Sequence, residues 1–553
     1  PVDVAGDGAP HRHEPRAWRD WHEPAARHQH SKQVVEADPS RHRDGLLAFI
    51  DEGIVGASRQ AQHGAADLER HTAIERRGVV QRAAVERDRC TVSGPHGAGP
   101  VGSDAQLDVE RGDVNGDGLS DLPDINYHIL HPRLFFYPTS HTNISVGYTH
   151  TGETRNGGDM QVLDGRASTA HSYFEKNTTA RNSWELQADH KLGDVRITLK
   201  AMYSDFQRRI QEQALDFKGR QQNYYTELSA FVPFRKADLV TGINFTGDSF
   251  TKLPSDPIPV NDFKNNIFGV FGQYTWHIKD ETLLETGLRY DHHAQYGNFL
   301  LPRIALFHRF NDAWATRWGL GWGYKTPNPL APQNIEYSIN KIQPMGPKVV
   351  PEQSLGANAE VNWRKDWAEN KVFINLAFFL TNLSKPIIAS ESTVTGEVNF
   401  SNRDGAVVSA GADMYISATI KEWELYGGYT YTNARRHYLP GDPFVVLTPS
   451  ERAAFVIGRN IGENWLIGLE GSYNGGQYRD GDSKTPGYMF LAAMIRHNLG
   501  DHVTVVLNGE NLLNYKQSDH EALFTGPLTD PKFKPLWAPI DGRVVNLSLR
   551  LKL

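Results

Sequence analysis

Apolar and polar side chains alternate along the chain from about residue 126 to its end, in segments that often run ten residues or more. Near the middle, Phe268, Val270, Tyr274, Trp276 and Ile278 share one face, and Gly269, Gln273, Thr275 and His277 share the other. Trp314, Trp318, Leu320, Trp322 and Tyr324 likewise oppose Arg317, Gly319, Gly321, Gly323 and Lys325. The chain closes with Val545, Leu547, Leu549, Leu551 and Leu553 set against Asn546, Ser548, Arg550 and Lys552. Successive strand side chains point to opposite faces, so each segment is a strand with one oily and one polar face. The pattern predicts about nineteen strands: near 126–137, 142–153, 182–191, 195–206, 224–234, 239–250, 267–278, 283–296, 301–310 and 314–325, then 355–363, 372–383, 407–420, 423–432, 452–460, 465–478, 488–498, 503–512 and 544–552.

Strand length separates the candidate folds. Ordinary strands average about 5–6 residues, whereas a strand crossing a bilayer needs about 9–11. The connections also follow a rule. Those at 191–194, 279–281, 311–312, 462–464 and 499–502 are tight, and those at 154–181, 251–266, 326–353, 384–402, 435–450, 479–486 and 516–539 are long. Short and long connections alternate, as they do in all-β transmembrane antiparallel barrels with short turns at one end and external loops at the other.

Composition fits this reading. The 553 residues have a mean hydropathy of -0.51 and no apolar run near the roughly 18 residues of a membrane helix. A barrel tolerates such an average because its inward half is polar. A net charge of -7 gives no sign of nucleic acid. With one cysteine, Cys90, the fold uses no internal disulfide. Residues 1–112 have another character. The first hundred hold thirteen Arg and nine His but one Lys, Lys32, and no Tyr. That bias reads either as a disordered leader or as out-of-frame translation of GC-rich DNA. The expected division is therefore an anomalous segment over 1–112 and a barrel over 113–553.

The final third carries Asn511-Leu-Leu-Asn514-Tyr515, Leu536-Trp537-Ala-Pro-Ile-Asp541-Gly542-Arg543 and the alternating last strand. With Gly323-Tyr-Lys325-Thr-Pro327-Asn-Pro329 and Gly157-Gly158-Asp159-Met160-Gln161-Val162, these resemble TonB-dependent outer-membrane receptors of the Bacteroidetes-type ferrienterochelin/colicin receptor group. The resemblance spans about 113–553. It implies a barrel of about 22 strands around an N-terminal plug, and uptake of a scarce ligand, usually a ferric siderophore, driven by the TonB complex of the inner membrane. It places the chain in the outer membrane, against outer-membrane lipid. The chain departs from the family in three ways: no plug pattern, TonB box or signal peptide is recognisable, Leu553 stands where an aromatic is usual, and about three strands are missing. Cobalamin or another nutrient is an alternative cargo. A passive pore or a non-functional fragment lacking its plug is the alternative outside transport by TonB.

Two constellations carry candidate chemistry. Asp113, Asn115, Asp117, Asp121 and Asp124 fall at positions 1, 3, 5, 9 and 12 of a loop with Gly118 at 6. That spacing suits Ca²⁺, and an acidic turn between strands gives the same sequence. The barrel reading itself requires no cofactor. Arg435, Arg436, His437 and Tyr438 form a basic, aromatic stretch in a long connection, and Arg403 and Lys348 lie in two others, all suited to an anionic chelate. Tyr337, Phe444, Phe524 and Trp537 are loop aromatics that either stack on a ligand or pack the loops together. His292 and His293 beside Asp291 read as a metal pair or as a solvated strand end. Gly-x-Ser-x-Gly, Walker, His-Glu-x-x-His and paired-Cys motifs are absent, so no enzyme is expected.

Overall fold

The alternation becomes one large antiparallel sheet. The structure, a computed structural model, describes residues 89–90, 99–331, 337–441, 443–480 and 483–551. Its strands are β1 Arg89–Cys90, β2 Gly99–Val109, β3 Asp124–Thr139, β4 Thr142–Gly158, β5 Phe174–Leu192, β6 Val195–Glu212 and β7 Leu215–Phe234. There follow β8 Ala237–Lys252, β9 Phe263–Lys279, β10 Thr282–His293, β11 Gly297–Arg309, β12 Trp314–Lys325, β13 Glu352–Trp367 and β14 Asn370–Ser384. A loop hairpin, β15 Ile387–Glu391 and β16 Val398–Asn402, precedes β17 Ala406–Ile420, β18 Trp423–Arg436, β19 Glu451–Ile461 and β20 Trp465–Asn474. The chain continues through β21 Tyr488–Leu499, β22 Val503–Glu510, the two-residue β23 Phe524–Thr525 and β24 Lys532–Phe533, and β25 Val544–Leu551. One short helix, α1 Met160–Leu163, lies between β4 and β5.

Twenty-one of these strands form the sheet. Each pairs antiparallel with its sequence neighbour; β14 passes over the β15–β16 hairpin to β17, and β22 passes over a long loop to β25. All nineteen expected strands are present. The sheet also begins ahead of residue 113, since β2 pairs with β3 from Gly99↔Phe135 to Val109↔Ile125. Residues 1–88 and 91–98, on which the two readings of the leader rest, lie outside the described residues. Among the described residues, no strand pairs with the free edge of β25.

The two faces divide as the sequence implies. Trp184, Leu228, Phe268, Trp276, Trp318, Phe378, Tyr429, Trp465 and Leu507 are all exposed on one face. The other face holds Arg133 paired with Glu185, Arg289 with Asp291 at 2.8 Å, Arg303 with Glu285 at 3.3 Å, and Thr430 on Asp413 at 2.6 Å. An oily face that stays exposed while ion pairs turn inward is the inverse of a soluble sheet, and it is the layout of a membrane barrel. The oily belt is short along the strands. On β20 it runs from Trp465 through Ile467 and Leu469 to Tyr473. At about 3.3 Å per residue and a tilt near 40°, those eight steps rise roughly 20 Å, close to the apolar band of an outer-membrane barrel. Aromatics rim the tight-turn border at Trp276, Trp314, Trp367, Trp423 and Trp465, and the loop-side border at Phe268, Tyr290, Trp322, Tyr431 and Tyr473.

Several strands are longer than the alternation indicates. The loop expected at 154–181 shrinks to 159–173 because β4 and β5 run on, and β6 and β7 continue until only residues 213–214 separate them. Beyond the belt both faces meet water, so the oily–polar contrast that marks a strand disappears. Glu175–Arg181 and Asp216–Asn223 are strands of this kind. The segment expected at 465–478 instead ends at Asn474, where Gly475 and Gly476 turn the chain away. The tight turns at one end are kept throughout. At the other end, 213–214 and 294–296 are short exceptions among long loops.

Candidate functional site

The long connections pack together into a layer at one end of the wall. Ile210, Leu215, Phe217 and Phe250, on the extended ends of β6–β8, form a buried cluster with Ile258, Val260 and Ile342. Tyr337, Ile339 and Phe400 pack against it from the loops after β12 and β14. Main-chain bonds join those two loops: Gln343 N–H donates to Val398 O at 3.0 Å, and Val398 N–H to Lys341 O at 2.9 Å. The Asn402 amide accepts from Val350 N–H at 2.8 Å and donates to Lys385 O at 2.7 Å. Tyr337 is thus a packing residue rather than an offered ring.

A second group gathers the loops after β18, β20 and β22. Phe444 stacks on Tyr478, with ring centres 4.2 Å apart and planes 7° apart. Arg435 lies over the outer side of Phe444 at 4.0 Å, and the Lys484 ammonium over Tyr478 at 4.4 Å. Two cations therefore clamp two stacked rings, each contact favoured by the negative face of the ring. Below this stack Gln517 is fully buried. Its carboxamide oxygen accepts from Trp537 N–H at 2.8 Å, and its NH₂ donates to Pro535 O at 3.2 Å. The Trp537 indole N–H donates to Glu521 at 2.6 Å, and Glu521 also pairs with Arg479 and Lys534. Trp537 is only 4% exposed, so it holds the loops and offers no ring to a ligand.

The C-terminal motif has a structural role here. Asn511 and Asn514 adopt left-handed backbone at φ 44° and 55°, which Asn tolerates better than most residues. Asn511 donates to Tyr515 O at 2.9 Å and Gly542 O at 3.0 Å, and Asn514 accepts from Arg543 N–H at 3.0 Å. These bonds tie the start and end of the 33-residue excursion between β22 and β25, residues 511–543. Asn511→Ala removes all three Asn511 side-chain bonds from a buried site. At about 1 kcal/mol each, the excursion should loosen by about 2–3 kcal/mol, read as faster amide exchange at Tyr515.

The basic residues singled out from sequence do not act as one group. Arg435 and Arg436 point to opposite faces, as neighbours in a strand must. Arg436 is committed to Phe444 O at 3.0 Å and to Asp480 at 3.0 Å. Arg403 is exposed, and Gly405 beside it, at φ 108°, lies against the backbone of His437 and Tyr438. A Cβ at Gly405 would stand 3.0 Å from Tyr438 Cα, so only glycine allows this close approach. His437 and Tyr438 thus meet Gly405 where two loops touch, and Arg403 lies two residues ahead of that contact, its N–H on Pro386 O at 3.0 Å. Lys348 is exposed on the loop after β12. Lys484 and Tyr478 escaped the sequence reading. They reach Phe444 only because two loops 34 residues apart fold together, and no local spacing signals that.

The acidic loop folds upon itself. Asp113 accepts from Gly116, Gly118 and Asp117 N–H, Asn115 from Asp117 N–H, and Asp121 from Val114 and Asn115 N–H. Asp124 turns instead to Arg111 at 2.7 Å. Four of the five candidate ligands are thus brought together, and the fifth faces a cation. Among the described residues, no three or more His, Cys, Asp or Glu side chains group around a metal position. Burial pushes Asp121 up to about 6, opposed by the two backbone donors and reinforced by Asp117 and Asp113. The native loop therefore holds this proton more tightly than the unfolded chain. Its stability should rise as the pH falls from about 7 through 6 toward 4. Protection of the Gly116 and Gly118 amides relative to their intrinsic exchange rates should rise over that range, and Asp121→Asn should abolish the dependence.

His292 and His293 also diverge. His292 contacts Asn298 at 2.8 Å, whereas His293 is fully buried on the opposite face and accepts from Gln295 and Tyr296 N–H. They do not chelate one ion.

The chain matches the family model described as TonB dependent receptor-like, beta-barrel, over residues 117–512. The ferrienterobactin receptor of Escherichia coli (strain K12) is 30% identical over 101 residues, which are 18% of this chain and 13% of that protein. The chain thus spans about an eighth of the length of this curated relative. Among solved structures, the siderophore receptor PirA from Acinetobacter baumannii superposes with a TM-score of 0.64 at 15% identity, covering 85% of this chain and 80% of that one. A mutant of the ferric enterobactin receptor PfeA from Pseudomonas aeruginosa gives 0.64 at 13% identity, covering 82% and 75%. The copper transporter OprC gives 0.63 at 14% identity, covering 82% and 76%. At these identities the structures establish a shared fold.

Proposed function

The chain belongs to the TonB dependent receptor-like β-barrel family, and from that premise we propose that it is an outer-membrane receptor taking up a ferric siderophore or similar metal chelate, driven by the inner-membrane TonB complex. The observation that carries this reading is the packed loop layer at one end of a belted wall, with basic and aromatic side chains at its surface. A ferric catecholate or related chelate is anionic. Exposed Arg403, the His437–Tyr438 turn against Gly405, and the Arg435 and Lys484 cations that cap the Phe444–Tyr478 stack place positive charge at the loops for such a ligand. The structural likeness to a siderophore receptor and a ferric enterobactin receptor supports the same cargo class. The family is one of receptors, and no enzymatic step is part of this reading.

Binding tests it directly. Ferric catecholate, ferric hydroxamate and cobalamin are titrated against the detergent-solubilised protein, with tryptophan fluorescence as the readout. The ferric catecholate should quench with the highest affinity. Arg435→Ala should weaken that binding by roughly 10- to 150-fold, the range of a hydrogen bond to a charged group. Quenching by none of the three would contradict the receptor reading. In a planar bilayer, a large steady conductance that no chelate reduces would favour the passive pore.

A further inference from the structure

We propose that His128 and His150 form a two-imidazole binding site for a tetrahedral divalent transition ion, Zn²⁺ in the first instance, on the outer face of the barrel. The two residues lie on adjacent strands, β3 and β4, two residues off direct opposition and on the same face, because His128 faces Gly152 and His150 faces Leu130. Their Nε2 atoms stand 3.2 Å apart. Two nitrogens each about 2.0–2.1 Å from one zinc at a near-tetrahedral angle stand roughly 3.2–3.4 Å apart. The pair therefore has the spacing of one edge of a zinc tetrahedron, and water completes the remaining positions.

Two further observations point the same way. His150 Nδ1 lies 2.8 Å from Asn182 Oδ1, an atom that only accepts, so the proton sits on Nδ1. Tyr148 O–H donates to the same Oδ1 at 2.7 Å and fixes it. In the neutral ring this aims the Nε2 lone pair at His128 Nε2, from which it accepts when no metal is bound; ligation of both rings moves the His128 proton to its Nδ1. An orienting partner on the far nitrogen is the usual support of a metal-binding histidine. Gly152 supplies the space: a Cβ there would fall 2.2 Å from the His128 ring. His128 is exposed and lies on the loop side of the Tyr148–Trp184 row, beyond the belt where the outer face meets water, so an ion reaches the site from solvent. The site lies on the oily face just past Leu130, on the loop side, beside the ring row Tyr148–Trp184–Tyr203.

The test is Zn²⁺ titration of the full chain, folded in detergent micelles, by calorimetry. The chain has 23 histidines, so the readout is the difference between wild type and variants. Wild type should bind one more equivalent than either His128→Asn or His150→Asn. Asn182→Leu should keep that equivalent but weaken it about tenfold or more. Gly152→Val, with both imidazoles intact, should lose it. His128→Asn changes an exposed side chain, and an unchanged far-ultraviolet dichroism spectrum will verify its fold. Equal stoichiometry and affinity in wild type and both histidine variants would overturn the proposal, as would loss in only one of them, since the site needs both rings.

Discussion

Gln517→Leu is expected to release the excursion between β22 and β25 while leaving the barrel wall folded. The Gln517 side chain is fully buried, and its oxygen accepts from two main-chain donors, Trp537 N–H at 2.8 Å and Ala538 N–H at 3.3 Å. Leucine fits the volume but satisfies neither. An orphaned buried donor costs about 1–3 kcal/mol, so the docked state should lose about 3–4 kcal/mol. Amide exchange at Trp537 and Ala538 should then accelerate by about two orders of magnitude or more. Exchange in the β20–β21 ladder should stay slow, because none of its bonds involve Gln517. Gln517→Glu keeps the acceptor but sets a carboxyl against Glu521 and Pro535 O in a fully buried site, and should release the excursion at least as far as leucine. The effect should reach the candidate ligand surface as well. Gln477 donates to Trp537 O at 3.0 Å, and Arg479 pairs with Glu521, so the loop carrying Tyr478 and Lys484 is anchored to the same knot. Chelate binding should weaken along with exchange protection. Unchanged protection at Trp537 would mean that the knot is held by something other than this amide.

The parts of the fold that were legible in the sequence are those inside the oily belt. There, one face meets lipid and the other meets the lumen, so alternation is strong, and Trp314–Lys325 appears at its full length. Above the belt the contrast vanishes, which is why β5 was expected to begin near residue 182 when it begins at Phe174. The site was legible only where neighbours in sequence are neighbours in space. Arg435–Tyr438 stood out as a basic stretch, but its division into one ring-stacked arginine and one arginine bound to Asp480 follows from strand alternation and from loops that meet at long range. The His128–His150 contact was invisible for the same reason. It depends on the register of β3 against β4, and 22 residues separate its members.

The second large effect concerns the belt itself. Leu376 and Ala377 are adjacent on β14, near the middle of the belt, and face opposite ways. Leu376 is exposed on the oily face, opposite Val361 and Met414. Ala377 lies on the inner face, opposite Glu360 and Asp413. An arginine at 376 would sit in hydrocarbon, at a cost of about 2–4 kcal/mol near the bilayer midplane. An arginine at 377 would enter a polar lumen between two carboxylates, and should be near neutral or slightly stabilising. A soluble sheet with water on its oily face would reverse the order, because Leu376→Arg would then be harmless.

The measurement that tests the account most directly is therefore the equilibrium folding free energy of wild type, Leu376→Arg and Ala377→Arg in lipid vesicles, from denaturant titration. The account predicts a loss of about 2–4 kcal/mol for Leu376→Arg and little change for Ala377→Arg. Equal stability of Leu376→Arg and wild type in lipid, or recovery of the folded protein in the soluble fraction without detergent, would contradict it.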